Sequence, residues 1–599
     1  MHRLSTQSVN AKPPFLKVTR SALQRAWADR LDAEGARRAE AIADTHGLPN
    51  TLARLLAGRG AEVTNTADFL EPRLKSAMPD PLVMVDAERA IARLADAIRR
   101  REPIAIFGDY DVDGACSAAL LAGYLRHFGL RPFIHIPDRL TEGYGPNAEA
   151  IRGLKAEGAV LLVCVDCGTS GHAPLAEAKA LGMDVIVLDH HQAPVELPAI
   201  DALVNPNRQD DLSGLGHLCA AGVVFLVLAG LSRALREQGL AGPDLLSQLD
   251  VVALATVADV VPLTGLNRAY VAQGLKVMRG RERIGLAALA DVARLDSAPE
   301  AWHLGFLIGP RINAGGRIGD SALGARLLLS DNPEEARRIA ETLDGLNRER
   351  QAVEEAMLME AEAQALQALG LAEEDREVLV VAGEGWHPGI VGIIAGRLKE
   401  RFRRPAFAIA AYEGALTGSG RSIAGVDLGA AVRAAVEAGI AVKGGGHSMA
   451  AGVTLPPGGV AAFADFLEAR LAPAVTIARA GDALSIDAAL SAESLTPDFV
   501  SEIARAGPFG SGNPEPVFAL PAHRVAEVME LKGGHLKANL VSSGGARIEA
   551  MAFRAAGKPL GDALLAARGE TVHVAGSVSL DRWGGRVKVS FRLVDLARP

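Results

Sequence analysis

The stretch FGDYDVDGACS, residues 107–117, sets Asp109, Asp111 and Asp113 at alternate positions straight after the apolar run Ile104-Ala105-Ile106-Phe107. Carboxylates this close repel one another, and a divalent cation is the first agent that would offset the repulsion. Two other places follow the same grammar: Asp166 closes VLLVCVD, and Asp189-His190-His191 closes DVIVLD. Asp259 follows VVALATVA and precedes VVP. Period-2 spacing can aim alternate carboxylates the same way while the chain stays extended. Taken singly, DxDxD reads equally well as an Asx-turn or N-cap cluster, and DHH as a capped turn with a surface histidine. Their recurrence at successive strand ends favours a site. Oxygen ligands with imidazole suit Mn²⁺ or Mg²⁺ better than a thiolate-preferring metal. Five aspartates and one or two histidines suffice for two ions sharing a carboxylate; ions about 3.5–4 Å apart serve phosphoryl hydrolysis. Cys164 and Cys167 form one CxxC with no second, so the cysteines read as buried filler.

The elements that must position these groups are short. Strands are expected at 104–109, 132–137, 159–166 and 184–189, and helices at 115–128, 147–157 and 172–181. Alternation of apolar strands with helices argues for βαβ units, a parallel sheet and an α/β fold, in which ligands bind at the carboxyl edge. Residues 333–372 read as a long connecting helix with Asp331 or Asn332 at its N-cap, Pro333 in its first turn and Gly370 at its stop. Gly345 offers a place where it breaks in two. Residues 1–80 read as a helical lead-in, 81–332 as the acid-bearing domain, 373–470 as a second α/β domain and 471–599 as a small β-barrel.

The chain has 599 residues and four cysteines, which excludes a single core and a disulfide framework. No apolar run reaches membrane-spanning length, and the N-terminus lacks a secretory core, so a reducing cytoplasm is expected. The formal net charge of −8 argues against a basic nucleic-acid coat protein, but residues 520–599 carry 12 Lys and Arg against 7 Asp and Glu.

The motifs GDYDVDG, VDCG, VLDHH and ATVADVVPL, in this order, resemble the DHH phosphoesterase superfamily. PDRLTEGYG (137–145), GPRINAGGRIGD (309–320), GWHPGIVGIIAGRL (385–398), GSGRSIAGVDL (418–428), GGGHSMAAG (444–452) and PFGSGNPEPVF (508–518) narrow the resemblance to the RecJ family, over roughly residues 45–599. That resemblance implies a DHH domain, a second domain of DHHA1 type and an OB-like barrel. It implies a 5′→3′ exonuclease specific for single-stranded DNA, yielding mononucleotides by two-metal-ion hydrolysis in repair and recombination. Its implied partners are a single-stranded-DNA-binding protein and a RecQ-type helicase, and a monomer is the default.

Residue by residue, the resemblance implies that Asp109, Asp111 and Asp166 hold one divalent ion, Mn²⁺ or Mg²⁺. Asp113, Asp166, His190 and Asp259 hold the second, with Asp166 bridging. Asp189 supports His190, and His191 faces the scissile phosphate. Arg139 and Arg311 are the candidates for the terminal 5′-phosphate, with Ser422 nearby and Arg317 a weaker candidate. His387 before a helix, Arg421, and Gly445, Gly446 and His447 in a glycine-rich backbone nest would grip the phosphates. In the barrel, Lys532, Lys537, Arg582, Arg586 and Lys588 are the basic residues. Trp583 and Phe591 are its aromatics, Phe591 reading better as core. A smaller superfamily enzyme cutting pyrophosphate, cyclic dinucleotides or short RNA would lack the barrel. A non-catalytic relative would lack the acids.

Overall fold

The computed structural model describes residues 13–139, 141–370, 376–412, 414–583 and 586–599, without the side chains of Arg582, Trp583 and Arg586. The chain forms two compact units. One gathers residues 1–77, 262–264 and 482–599; the other gathers 78–261 and 265–481.

In the first unit β1 (Trp27–Asp29) belongs to the lead-in, which otherwise forms helices such as Ala33–His46 and Asn50–Gly58. The second unit opens with a five-stranded sheet. Its strands are β2 (Ile104–Phe107), β3 (Phe133–His135), β4 (Leu161–Val165), β5 (Asp184–Leu188) and β6 (Ala202–Val204), in the order β3-β2-β4-β5-β6, every pairing parallel. The strands are apolar runs because both faces are covered. Leu162 and Cys164 pack with Ile151, Leu154, Leu175 and Ala178 of the helices Ala148–Ala156 and His172–Ala180. The expected strands and helices lie where alternation placed them, to within a few residues.

Pro333–Leu369 is one helix of 37 residues, N-capped by Asn332, whose side chain accepts from the N–H groups of Glu334 and Glu335. It does not break at Gly345. One glycine costs about 1 kcal/mol in a helix, too little to interrupt a long packed one. Residues 371–375, at the expected end of this helix, lie outside the described residues. The next sheet contains β7 (Leu379–Glu384), β8 (Ala406–Tyr412), β9 (Ala415–Arg421), β10 (Lys443–Gly446) and β11 (Ala450–Leu455) in the order β10-β11-β9-β8-β7.

The first unit resumes with β12 (Leu484–Ile486), which pairs in parallel with β1, and β13 (Ala488–Ala489). Then come β14 (Phe518–Leu531), β15 (His535–Val541), β16 (Arg547–Ala552), β17 (Thr571–Trp583) and β18 (Arg586–Ala597). The long β14 pairs with β15 on one side and β17 on the other, closing a five-stranded barrel. Register shifts after Leu520 and Val525 let β14 bend around the corner. Val528, Leu536, Ala538, Ala550 and Phe591 fill the interior. The lead-in is tied to this barrel region by Asp487, which accepts from Arg30 Nε at 2.8 Å, from Arg59, and from Val517 N at 2.9 Å. Among the described residues, no helix is long and apolar enough to cross a membrane.

Candidate metal centre and phosphate-binding cleft

Strand β2 ends at Phe107, and the chain turns over Gly108 into the helix Val112–His127. The three aspartates therefore straddle a turn and a helix start. They converge without the extended backbone that their alternation suggests. Asp111 is the N-cap, one oxygen accepting from Asp113 N at 2.9 Å and Gly114 N at 3.1 Å. The capping reading of DxDxD is thus correct for Asp111, and capping leaves its second oxygen available. Asp113 lies inside the helix, wholly buried. It accepts from Ala220 N at 2.6 Å and Ala221 N at 2.8 Å, the first amides of the helix Ala220–Glu237. An aligned helix N-terminus favours such an anion. Gly114 allows the close approach: a Cβ there would lie 2.4 Å from the carbonyl oxygen of Asp109.

Asp166 follows β4 with φ of +60°, a left-handed conformation that aspartate and asparagine tolerate better than most residues. The residue is 1% exposed, and neither carboxylate oxygen has a hydrogen-bond partner; nor does Oδ1 of Asp109. Asp259 caps the C-terminus of the helix Leu249–Ala258. His190 Nδ1 contacts the carbonyl of Leu218 at 3.1 Å. This leaves Nε2 at 3.3 Å from Asp166, 3.7 Å from Asp259 and 3.8 Å from Asp113. Burial first, and the neighbouring carboxylates second, push the carboxyls of Asp109, Asp166 and Asp259 well above the usual range. Asp109, Asp111 and Asp166 present ligand atoms within 4.8 Å of one another. So do Asp113, His190 and Asp259, and so do Asp166, His190 and His191. Buried carboxylate oxygens without donors, flanked by an imidazole nitrogen, fit hard divalent cations.

Asp189 differs from its expected role. Its carboxylate accepts from the ring Nδ1 of His191 at 2.7 Å and reaches His190 only through the backbone N–H, also at 2.7 Å. Burial opposes ionisation of Asp189, but the hydrogen bond and charge of His191, with the bond to Thr169 and the charge of His190, together outweigh it and the carboxyl lies below the usual range. Burial lowers the His191 imidazole, and the Asp189 hydrogen bond together with the charges of Asp189, Asp109 and Asp259 more than restores it, to about 9. The Tyr144 hydroxyl, 3.2 Å from His191 Nδ1 and 3.4 Å from the Asp166 carbonyl, closes this side.

Beside the acids lies a cationic group. Arg139 sits 5.2 Å over the Tyr110 ring. Burial first, and the charge of Arg139 next, lower His387, Arg317 and Arg421, Arg317 to about 10. Arg317 donates to the Gly389 carbonyl at 2.7 Å, joining the helix Gly309–Ile318 to the segment before the helix Val391–Phe402. Arg421 donates to Ser419 Oγ at 3.0 Å. His447 is lowered by burial and then by His191, which places the glycine-rich segment beside the DHH motif.

Three expectations need correction. Arg311 is engaged elsewhere: it pairs with Asp344 at 2.9 Å and donates to the Leu307 carbonyl at 2.6 Å. Six residues along one helix turn the side chain to another face, and Arg317 takes the position beside Arg139. Ser422 is buried and donates to the Val426 carbonyl at 2.7 Å, so Ser419 is the serine on Arg421. Gly445 and Gly446 belong to the edge strand β10, paired with Gly452 and Ala451, so their segment is not a loop nest. In the barrel, Lys537 and Lys588 both pair with Glu549, and Phe591 is core. Among the described side chains of the barrel, Phe553 is an exposed aromatic, with Arg592 5.9 Å from its ring. Its sequence setting, MAFRAAG, carries no signal that separates it from core.

Comparison with known proteins accounts for most of the chain. The DHH family N-terminal domain matches residues 103–256, the DHHA1 domain 375–472 and the RecJ OB domain 486–595. Parallel sheet, acid edge and second domain thus define a protein of the DHH class. The single-stranded-DNA-specific exonuclease RecJ of Escherichia coli (strain K12) is 39% identical over 491 residues, 79% of this chain and 83% of that protein. Its namesake in Bacillus subtilis (strain 168) is 32% identical over 551 residues, 91% of this chain and 68% of that protein. The crystal structure of RecJ from Thermus thermophilus in complex with Mn²⁺ superposes with a TM-score of 0.77 at 30% identity, covering 96% of this chain and 79% of that one. The corresponding Mg²⁺ complex gives 0.72 at 29% identity, covering 96% and 78%. The chain belongs to the RecJ family.

Proposed function

We propose that this chain is a divalent-metal-dependent exonuclease that degrades single-stranded DNA from the 5′ end to mononucleotides by two-metal-ion hydrolysis. The observation that carries the reading is the Asp166 carboxylate, buried without a donor and shared by two of the groups of ligand atoms found among the described residues. Asp109, Asp111 and Asp166 would hold one ion; Asp113, Asp166, His190 and Asp259 would hold the other. Bound in such a site, paired divalent ions acidify water and screen the charge on a phosphodiester. The protein's own groups do the rest. The amides of Ala220 and Ala221 offset part of the burial that raises the Asp113 carboxyl, the Leu218 carbonyl turns His190 Nε2 inward, and Asp189 orients the His191 ring toward the place where negative charge develops.

Arg139, Arg317, Arg421 and Ser419, with His387 at the amino end of Val391–Phe402, hold the terminal phosphate. Guanidinium forks match phosphate oxygens, and a pocket for a terminal phosphate suits attack from an end. A passage between the two α/β domains that admits one strand would supply strand selectivity. The family resemblance supports a role in repair and recombination with a single-stranded-DNA-binding protein and a RecQ-type helicase. The test uses 3′-labelled single-stranded DNA with Mn²⁺, Mg²⁺ or EDTA. A ladder shortening from the 5′ side, lost with EDTA and absent for blunt duplex, is expected. Cleavage only of dinucleotides or cyclic dinucleotides would overturn the substrate.

A further inference from the structure

Between the short helix Ala301–His303 and the helix Gly309–Ile318, residues Leu304–Ile308 form a π-helical turn. Such turns are rare and are concentrated at functional sites. Phe306 on this turn is 75% exposed and Trp302, four residues earlier, 45%. Residues four apart share a helix face. Trp302 is held in place: its Nε1 donates to Glu300 at 3.1 Å and its ring stacks on His303 at 3.8 Å. Phe306 borders a groove of about 280 Å³ that is also lined by Arg294, Arg311, Asp344 and Arg348. Three arginines face one carboxylate, and Asp344 is shared between Arg311 at 2.9 Å and Arg348 at 3.2 Å. The patch is therefore aromatic with a net positive rim.

The patch also adjoins the metal centre. A Cβ on Gly305 would touch Val257 at 3.4 Å, and one on Gly309 would touch Ala258 at 3.3 Å. The π-turn thus rests on the last turn of the helix that ends in Asp259. Val260, the next residue, is 68% exposed. An aromatic pair with a cationic edge, reached from the acid cluster across Val260, matches a polyanion whose bases present flat apolar faces. We infer that Phe306 and Trp302 form a stacking platform for bases of the single strand beyond the scissile phosphate. The arginine rim follows the backbone. This rests on the function proposed above.

The test compares Phe306→Ala and Trp302→Ala with the unaltered protein, and Phe306→Trp as a control that keeps a ring. Each is assayed with Mn²⁺ on a long 3′-labelled single strand and on a dinucleotide, too short to reach the platform. Base–aromatic stacking is worth about 1–3 kcal/mol per base, so each alanine variant should lose roughly fivefold to 150-fold in kcat/KM on the long strand. The loss should fall in KM, the dinucleotide rate should be unchanged, and Phe306→Trp should restore the long-strand rate. Equal losses on both substrates, or no loss on the long strand, would overturn the platform while leaving the exonuclease reading intact. Failure of the unaltered protein to cut either substrate would overturn the functional reading, and the platform with it.

Discussion

Replacing Asp166 by Asn should stabilise the metal-free protein and abolish its activity. Asp166 is the right position because its carboxylate is buried with no donor on either oxygen, among Asp109, Asp111, Asp113 and Asp259. Asn is the right replacement because it keeps the shape and tolerates the φ of +60°. Alanine would confound charge with backbone strain. The amide removes a group whose ionisation is penalised by burial and by the neighbouring carboxylates, and sets a donor facing those carboxylates. An unsatisfied buried acceptor costs about 1–3 kcal/mol, and more when charged, so a gain of about 2 kcal/mol is expected without metal. A gain of this size moves the melting temperature by about 2–4 °C per kcal/mol in a domain of 150–250 residues, and by less in a longer unit. A rise of a few degrees in EDTA should result. Saturating Mn²⁺ should reverse the order. A ligand at 100 times its Kd stabilises the native state by about 2.7 kcal/mol, and the variant, lacking the shared ligand, should gain much less. The assay is thermal unfolding of both proteins in EDTA and in Mn²⁺, with hydrolysis of single-stranded DNA measured in parallel. A variant that melts lower than the parent in EDTA would refute the reasoning, because the carboxylate would then be satisfied as it stands. Equal Mn²⁺ stabilisation of both proteins would refute the shared-ligand assignment.

Further outcomes follow from the same geometry. Carboxyls raised in the folded state bind protons more readily there than in the unfolded chain, so their contribution to stability is largest at low pH and is lost as pH rises through the folded value. His191, raised to about 9, acts in the same direction between its unfolded value and 9, so the metal-free protein should melt higher at pH 7 than at pH 9. Arg317→Met should remove most of any preference for 5′-phosphorylated over 5′-hydroxyl ends in KM. Arg311→Met should keep that preference and lower the melting temperature through Asp344. Gly114→Ala would place a Cβ 2.4 Å from the Asp109 carbonyl oxygen, so Mn²⁺ binding measured by calorimetry should weaken while the barrel's circular dichroism is retained. Asp487→Ala should destabilise the barrel and lead-in by about 3–5 kcal/mol in urea unfolding, because it strands the buried Arg59 guanidinium, whose side chain is 1% exposed.

Much of the acid centre was legible because aspartates that end apolar runs are placed by topology. A parallel sheet delivers every strand's carboxyl end to one edge, so Asp109, Asp166 and Asp189 had to approach one another once the runs were strands. The manner of their approach was not legible. Alternation suggested an extended DxDxD, whereas Asp111 caps a helix and Asp113 lies within it, since the strand stops at Phe107. Nor was the partner of Asp189, because two adjacent imidazoles compete for one carboxylate and ring rotation decides.

The amino-acid sequence by itself determined the strand runs, the residues that end them, and the long capped helix after Asn332, because periodicity, capping and turn chemistry are local. Only the tertiary structure decided which arginine of GPRINAGGR stands beside Arg139, whether the glycines of GGGHSMAAG form a nest or an edge strand, and that β1 pairs with β12. Each of these depends on which face of an element meets another. That is settled by burial and hydrogen-bond pairing between segments far apart in the chain, which no local pattern encodes.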